Sequence, residues 1–245
     1  MQHINYKSYF HFKSNFKKDI ISRSPTVDFN ALLFRGQSDS DWKLVSAFDR
    51  VETDKSKYDS LLYRFKNICE KYNFQEELLE TSKKDINVLA AYGQHYGLPT
   101  RLLDWTKSYY FGAFFAFSGI KSLEVKTKKC TIWCINPESE LVKKAKGLDF
   151  IELSTNKYNY RIKNQLGFFT LSKHTEDSIN EYETAVFKKY DIDDLLWKID
   201  IQYNLDDIDY ILEDLNDMGI SYSIVYPDID GYILESIHTE NIKIE

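Results

Sequence analysis

Cysteine, proline and glycine are all scarce in this chain of 245 residues, with three, four and nine copies respectively. Cys69, Cys130 and Cys134 are too few for a disulfide framework, which makes the cytoplasm the expected compartment. No Ser/Gly/Pro-rich linker, internal repeat or low-complexity tract divides the sequence, so the default reading is one domain. No apolar run approaches the ~20 residues of a membrane-spanning helix. The longest, from Tyr109 to Gly119, is too short, and no membrane partner is expected. Lys7, His11, Lys13, Lys17 and Lys18 break up the N-terminus, which therefore does not read as a secretory signal. Basic charge is not in excess either: 32 Lys+Arg against 38 Asp+Glu give a net charge of −6. That balance argues against bulk electrostatic binding to nucleic acid or to an anionic membrane.

Several motifs are missing too. The phosphate-cradling GxxxxGK[ST], the dinucleotide fingerprint GxGxxG and the nucleophile elbow GxSxG do not occur. Cys130 and Cys134 have no second Cys/His pair nearby and read as core thiols on one strand face with Ile132. His3, His11, His174 and His238 are isolated and read as surface residues, so no metal is expected.

What is present is the material of a folded core: 43% hydrophobic residues, 16% of all residues aromatic. Apolar spacing predicts helices over Tyr6 to Ile21 (stopped by Ser24 and Pro25), Lys57 to Tyr72 and Ile86 to Tyr96. It also predicts a central buried helix from Tyr109 to Phe117, capped by Thr106 or Ser108, and a helix from Asp207 to Met218 ended by Gly219. Short apolar or alternating runs predict strands at Ala31 to Phe34, Cys130 to Ile135, Phe168 to Leu171, Glu183 to Tyr190 and Tyr222 to Val225. Trp42 to Phe48 reads as a further extended piece. Helices dominate early and strands late, without βαβ alternation. The expected fold class is therefore α+β, with helices of the first half packed on a mixed or antiparallel sheet.

Three constellations carry chemistry. Phe34-Arg35-Gly36-Gln37 ends an apolar strand; arginine offers a planar fork of donors for phosphate or carboxylate, and Gly36 lets a ligand or another backbone come close. The same residues also suit an internal ion pair and a turn. Gly93 to Thr106 gathers His95, Tyr96, Thr100, Arg101, Asp104 and Trp105 around Gly97 and Pro99. His95 can donate or accept near neutral pH, Trp105 has a flat face for a ring, and Asp104 can orient a histidine, accept from a ribose hydroxyl or pair with Arg35 or Arg101. A helix terminus followed by a turn, with a structural ion pair, accounts for this stretch equally well. The third is Arg161 to Thr170, where Gln165 precedes an apolar strand and Gly167 gives room.

In this order, the three constellations resemble the FRG domain family, named for its aromatic-Arg-Gly motif. The resemblance runs through Phe34 to Gln37, Trp42-Lys43-Leu44, Arg50, His95 to Thr106, Ala113 and Phe115 to Phe117. It continues through Arg161-Ile162, Gln165, Gly167 and Phe168, then Gly219-Ile220 and Pro227 to Gly231. It implies an N-terminal helical extension over 1–27 and an FRG domain over 28–245. The family's Arg-Gly strand and late polar residue are in turn similar to the NAD-binding core of ADP-ribosyltransferases. That likeness implies NAD as substrate and a catalytic set of Arg35, His95, Asp104 and Gln165. It also implies nucleotide binding by Arg35, Gly36, Gln37, Tyr96, Thr100, Arg101 and Trp105. The implied activity is that of an ADP-ribosyltransferase-like or NAD-consuming effector in bacterial or phage defence or as a toxin, modifying a protein or nucleic-acid target. The alternative is a non-catalytic module that binds a nucleotide or a protein. Gln165 departs from the glutamate expected there; Glu181-Tyr182-Glu183 before Thr184 to Phe187 resembles the two-glutamate motif of some transferases, although acids are abundant enough for a chance Glu-x-Glu.

Overall fold

The computed structural model describes residues 2–52, 54, 56–120, 128–140, 148–152, 164–165, 167–172, 196–240 and 242. The strand expected over Glu183 to Tyr190, the pair Glu181 and Glu183, His174, and Arg161-Ile162 lie outside them.

Seven strands among the described residues form one sheet: β1 (Gln2–Tyr6), β2 (Leu33–Gln37), β3 (Leu102–Thr106), β4 (Lys129–Ile135), β5 (Leu148–Ile151), β6 (Gly167–Ser172) and β7 (Leu196–Gln202). Their order is β1-β7-β4-β2-β3-β6-β5. β1 runs parallel to β7 and every other neighbour is antiparallel, so the sheet is mixed, as expected. The helices are α1 (Tyr9–Arg23), α2 (Ala47–Val51), α3 (Ser56–Lys71), α4 (Glu76–Ser82), α5 (Ile86–His95), α6 (Tyr109–Ser118), α7 (Ile208–Asp217), α8 (Tyr222–Val225) and α9 (Ile229–Thr239). None is long and apolar enough to cross a membrane.

Strand alternation splits the sheet into two unlike faces. Ile4, Tyr6, Phe34, Cys130, Ile132, Cys134, Trp197, Ile199 and Ile201 point to one face, where α1, α6 and α7 cover them. Phe12, Phe16 and Ile20 supply the α1 contact at helical spacing, and all three are fully buried. Aromatic residues close the seam: Phe16 meets Phe34 at 5.8 Å and Phe29 meets Tyr109 at 5.8 Å, both edge to face. On the other face, Leu33, Leu103, Trp105, Trp133, Ile135 and Leu196 pack with Leu44 from the segment after β2. A third cluster holds α2 to α5 together over Leu102 and Phe169. Cys130 and Cys134 are core thiols on one strand face, and burial pushes both thiols well up from their ordinary range.

Local signals explain most helix ends. Ser8 caps α1 by accepting from His11 N–H, and Ser108 caps α6 by accepting from Phe111 N–H. Gly97 stops α5 at φ +88, with Leu98 N–H donating to Gly93 O and Gly97 N–H to Gln94 O. Two expected extended pieces are helical instead. Within Trp42 to Phe48, Ser46 caps α2 at 3.1 Å from Asp49 N–H, so the chain turns into a helix at Ala47. Tyr222 to Val225 makes one helical turn, in which Tyr222 packs edge-on against Phe114 at 5.1 Å and no strand among the described residues receives it.

Burial raises several tyrosine hydroxyls. Tyr58, Tyr92, Tyr203 and Tyr222 are each pushed up to about 12, and Tyr6 and Tyr9 go higher still, each also donating to a carboxylate. Unfolded tyrosine ionises near 10, so above that pH the unfolded chain releases protons that the fold retains. The tyrosine contribution is therefore largest below pH ~10 and is lost progressively above it, through about 12 for Tyr58, Tyr92, Tyr203 and Tyr222 and at still higher pH for Tyr6 and Tyr9. Urea midpoints measured at pH 9, 10 and 11 should fall over the first step and more steeply over the second.

Candidate functional site

The apolar run Leu32-Leu33-Phe34 buries β2 and carries Arg35 to the place where β2 and β3 part. The two strands are joined through one residue pair, Phe34↔Thr106. Beyond it, the Arg35 side chain takes over: Nη1 donates to the Asp104 carbonyl at 2.9 Å and to Asp104 Oδ2 at 3.3 Å. Asp104 Oδ1 accepts from Gln94 Nε2, and Gln94 Oε1 accepts from the Thr100 hydroxyl. Arg35, Asp104, Gln94 and Thr100 thus form one hydrogen-bonded chain between β2, β3 and the end of α5. Thr100 is fully buried, whereas the Asp104 side chain is 48% exposed and that of Arg35 18%. The chain therefore runs from the interior to the surface, and its charged end faces solvent.

A second arginine stands beside the first. Arg50 lies on α2, which is docked by Phe48 N–H donating to Thr100 O at 2.9 Å. Burial first, and then the charge of Arg35, lower the Arg50 pKa from its ordinary value. The Arg35 charge thus reaches Arg50, while Arg35 itself is paired with the partly exposed Asp104. Arg35 Nε is buried without a hydrogen-bond partner.

The other sequence-derived candidates divide. Gly36 meets a backbone rather than an open space, since a Cβ there would stand 2.0 Å from Gly112 O of α6. Gln37 is buried, donating to Lys43 O at 3.3 Å and accepting from Trp133 Nε1 at 2.6 Å. Trp105 is in the core with its indole N–H on Thr170 Oγ1 at 2.9 Å, so its face is not open to a ligand ring. Arg101 is buried and paired with Asp49 at 3.4 Å rather than with Asp104. His95 closes α5, half-buried, beside Gln94. Tyr96 is exposed and packs on Tyr92 with ring centroids 5.2 Å apart. Gln165 donates to the Val225 carbonyl at 3.0 Å, which engages its amide at α8. Arg50 and Gln94 were not among the candidate site residues. Both sit inside the motif stretches, Gln94 next to His95, so proximity to His95 was the available signal for Gln94.

The match to known families is confined to this part of the molecule. Part of the chain is similar to the FRG domain. The FRG domain family model matches residues 30–124, from just before β2 to just past α6. The match contains Arg35, Arg50, Gln94, Thr100 and Asp104, whereas β1, β4, β5, β6 and β7 lie outside it. No curated protein and no solved structure matches the chain.

Proposed function

We propose that the surface where β2 and β3 part, within the FRG-like segment, binds an NAD-like nucleotide by its phosphates, with Arg35 and Arg50 as the paired cations. The observation that carries this reading is the partly exposed Arg35–Asp104 ion pair where β2 and β3 part, with Arg50 near enough that the Arg35 charge is the second cause, after burial, lowering its pKa. A pyrophosphate placed there would offset the charge that Arg35 exerts on Arg50 and give the unpartnered Arg35 Nε an acceptor. Asp104, held by Gln94, would then accept from a ribose hydroxyl. In an ADP-ribosyltransferase-like or NAD-consuming effector, Asp104 would also be the carboxylate that faces the positive charge developing on the ribose as the nicotinamide bond breaks.

The second reading, a non-catalytic nucleotide-binding module, draws support from two residues. Trp105 is enclosed in the core and offers no wall for a leaving ring, and the Gln165 amide is engaged by Val225. The two readings share the phosphate site and differ in turnover.

Calorimetric titration with NAD and ADP-ribose tests the shared part. The wild-type chain should bind at least one of them saturably. Arg50→Gln, a change on a short helix, should weaken binding about tenfold or more, the scale of one lost charge-assisted hydrogen bond. Absence of saturable binding by the wild-type chain would remove both readings. Chromatographic detection of free nicotinamide separates them: release supports the effector, and binding without release supports the module.

A further inference from the structure

A cleft of about 740 Å³ lies beyond the C-terminal ends of β1 and β7, the parallel pair of the sheet, where β1 passes into α1 and β7 towards α7. It is separate from the Arg35 surface. Arg35, Trp133 and Lys198 form one cross-strand row, with Trp133 between the two charged side chains. Lys198 forms part of the cleft lining, tying the segment after β2 to β7 by donating to Ser40 O at 2.7 Å.

The charges in the lining are unequally engaged. Lys7, Lys128, Lys129 and Lys198 face Asp41, Asp200 and Asp207. Both Asp200 oxygens are occupied: Oδ1 accepts from the Thr131 hydroxyl at 2.6 Å, and Oδ2 lies 2.8 Å from His3 Nε2. Asp207 accepts from Asn204 Nδ2 at 3.1 Å. Among the described residues, by contrast, the ammonium groups of Lys7 and Lys128 make no hydrogen bond or ion pair, although the protein as a whole is acidic. The first-turn amides of Tyr9 and Phe10 have no intrahelical acceptor, and the half-exposed Phe10 ring also lines the cleft. The volume is in the range of small-molecule sites, ~300–1,000 Å³.

We infer that this cleft is a second binding site, which takes a phosphate-bearing metabolite about the size of a mononucleotide. Lys7 and Lys128 hold the phosphate, the amides of Tyr9 and Phe10 add neutral donors, and the Phe10 ring receives the flat part of the ligand.

AMP is the probe, titrated calorimetrically into the full-length Arg35→Ala protein so that the other site is disabled, and in parallel into Arg50→Gln as a second background. Saturable binding is expected in both. Adding Lys7→Gln and Lys128→Gln, both exposed changes that leave the core untouched, should weaken it about a hundredfold, two charge-assisted contacts' worth. Inorganic phosphate should compete with AMP before the lysine changes and not after them. The inference is overturned if AMP shows no saturable binding in either background, or if its affinity is the same with and without the two lysines. Neither result bears on NAD binding by the wild-type chain, which is measured separately.

Discussion

Gly36→Ala should cost about 3 kcal/mol or more, the upper end of overpacking effects. A Cβ at this position would stand 2.0 Å from Gly112 O, 2.6 Å from Ala116 N and 3.0 Å from Phe115 Cβ. Two of these atoms belong to the α6 backbone, so no side-chain rotation relieves the clash. Nor can α6 withdraw easily. Ala113, Phe114, Ala116 and Phe117 are all buried in the same core, and its near side already meets Phe34 and Ile132 through Gly112. Total stability of a folded chain is about 5–15 kcal/mol, so the loss is a large share of it. At ~2–4 °C per kcal/mol for a chain of this size, the melting temperature should fall by about 6–12 °C, read by circular dichroism. Gly112→Ala is the control. Its Cβ would meet only side-chain atoms of Ile132 and Phe34, both at 3.3 Å, and its cost should be smaller. A Gly36→Ala protein melting within 2 °C of wild type, on the same order-of-magnitude scale, would contradict this packing account.

Arg35→Ala should have the larger effect on binding and a small one on folding. With the guanidinium gone, the proposed phosphate contacts from Nη and Nε are lost together. Two charge-assisted hydrogen bonds at about 1.5 kcal/mol each amount to about a hundredfold loss of NAD affinity. The folded state loses less. Asp104 keeps Gln94 as donor, and its carboxylate, 48% exposed, can be rehydrated, so no charge is stranded in the interior. A structural cost of about 1 kcal/mol is expected, chiefly from the Asp104 carbonyl that Arg35 now satisfies. Arg35→Lys should recover part of the affinity, because an ammonium restores the charge without the planar fork. If titration gives Arg35→Ala the wild-type affinity for NAD, the phosphate site is not at this surface. If the variant instead unfolds, Arg35 is chiefly a structural residue.

The parts of this fold that were legible in the sequence are those whose signals are local. Helical spacing in Phe12, Phe16 and Ile20 marks α1, and the Ser8 and Ser108 caps are short-range features. The strand ending in Arg35-Gly36 could be read from its apolar run and its glycine, although residues near in sequence could not reveal that the glycine faces α6. Strands fixed by distant partners were harder. β1 pairs with β7 almost two hundred residues away, and its polar Gln2, His3 and Asn5 hide a half-buried strand. β7 alternates from Leu196 to Gln202 and was readable in principle. β3 looks like a turn because Asp104 interrupts it, yet that aspartate is where Arg35 docks. The candidate site shows the same division. The motif stretches named Arg35 and Asp104, but residue type alone could not separate the enclosed Trp105 and Arg101 from the solvent-facing Asp104. Nor could it place Arg50, on a five-residue helix, beside Arg35.

The position of β1 also governs how this protein can be cut. Its five residues form one outer rim of the sheet, shielding the open hydrogen-bonding side of β7, and the next segment, α1, roofs the core. A truncation that begins at residue 30, where the family match starts, would bare one side of the β7 backbone from Trp197 to Ile201 and uncover Ile199 and Ile201. Such an unprotected strand invites pairing between chains and precipitation. Any shortened version should therefore keep residue 2 onward.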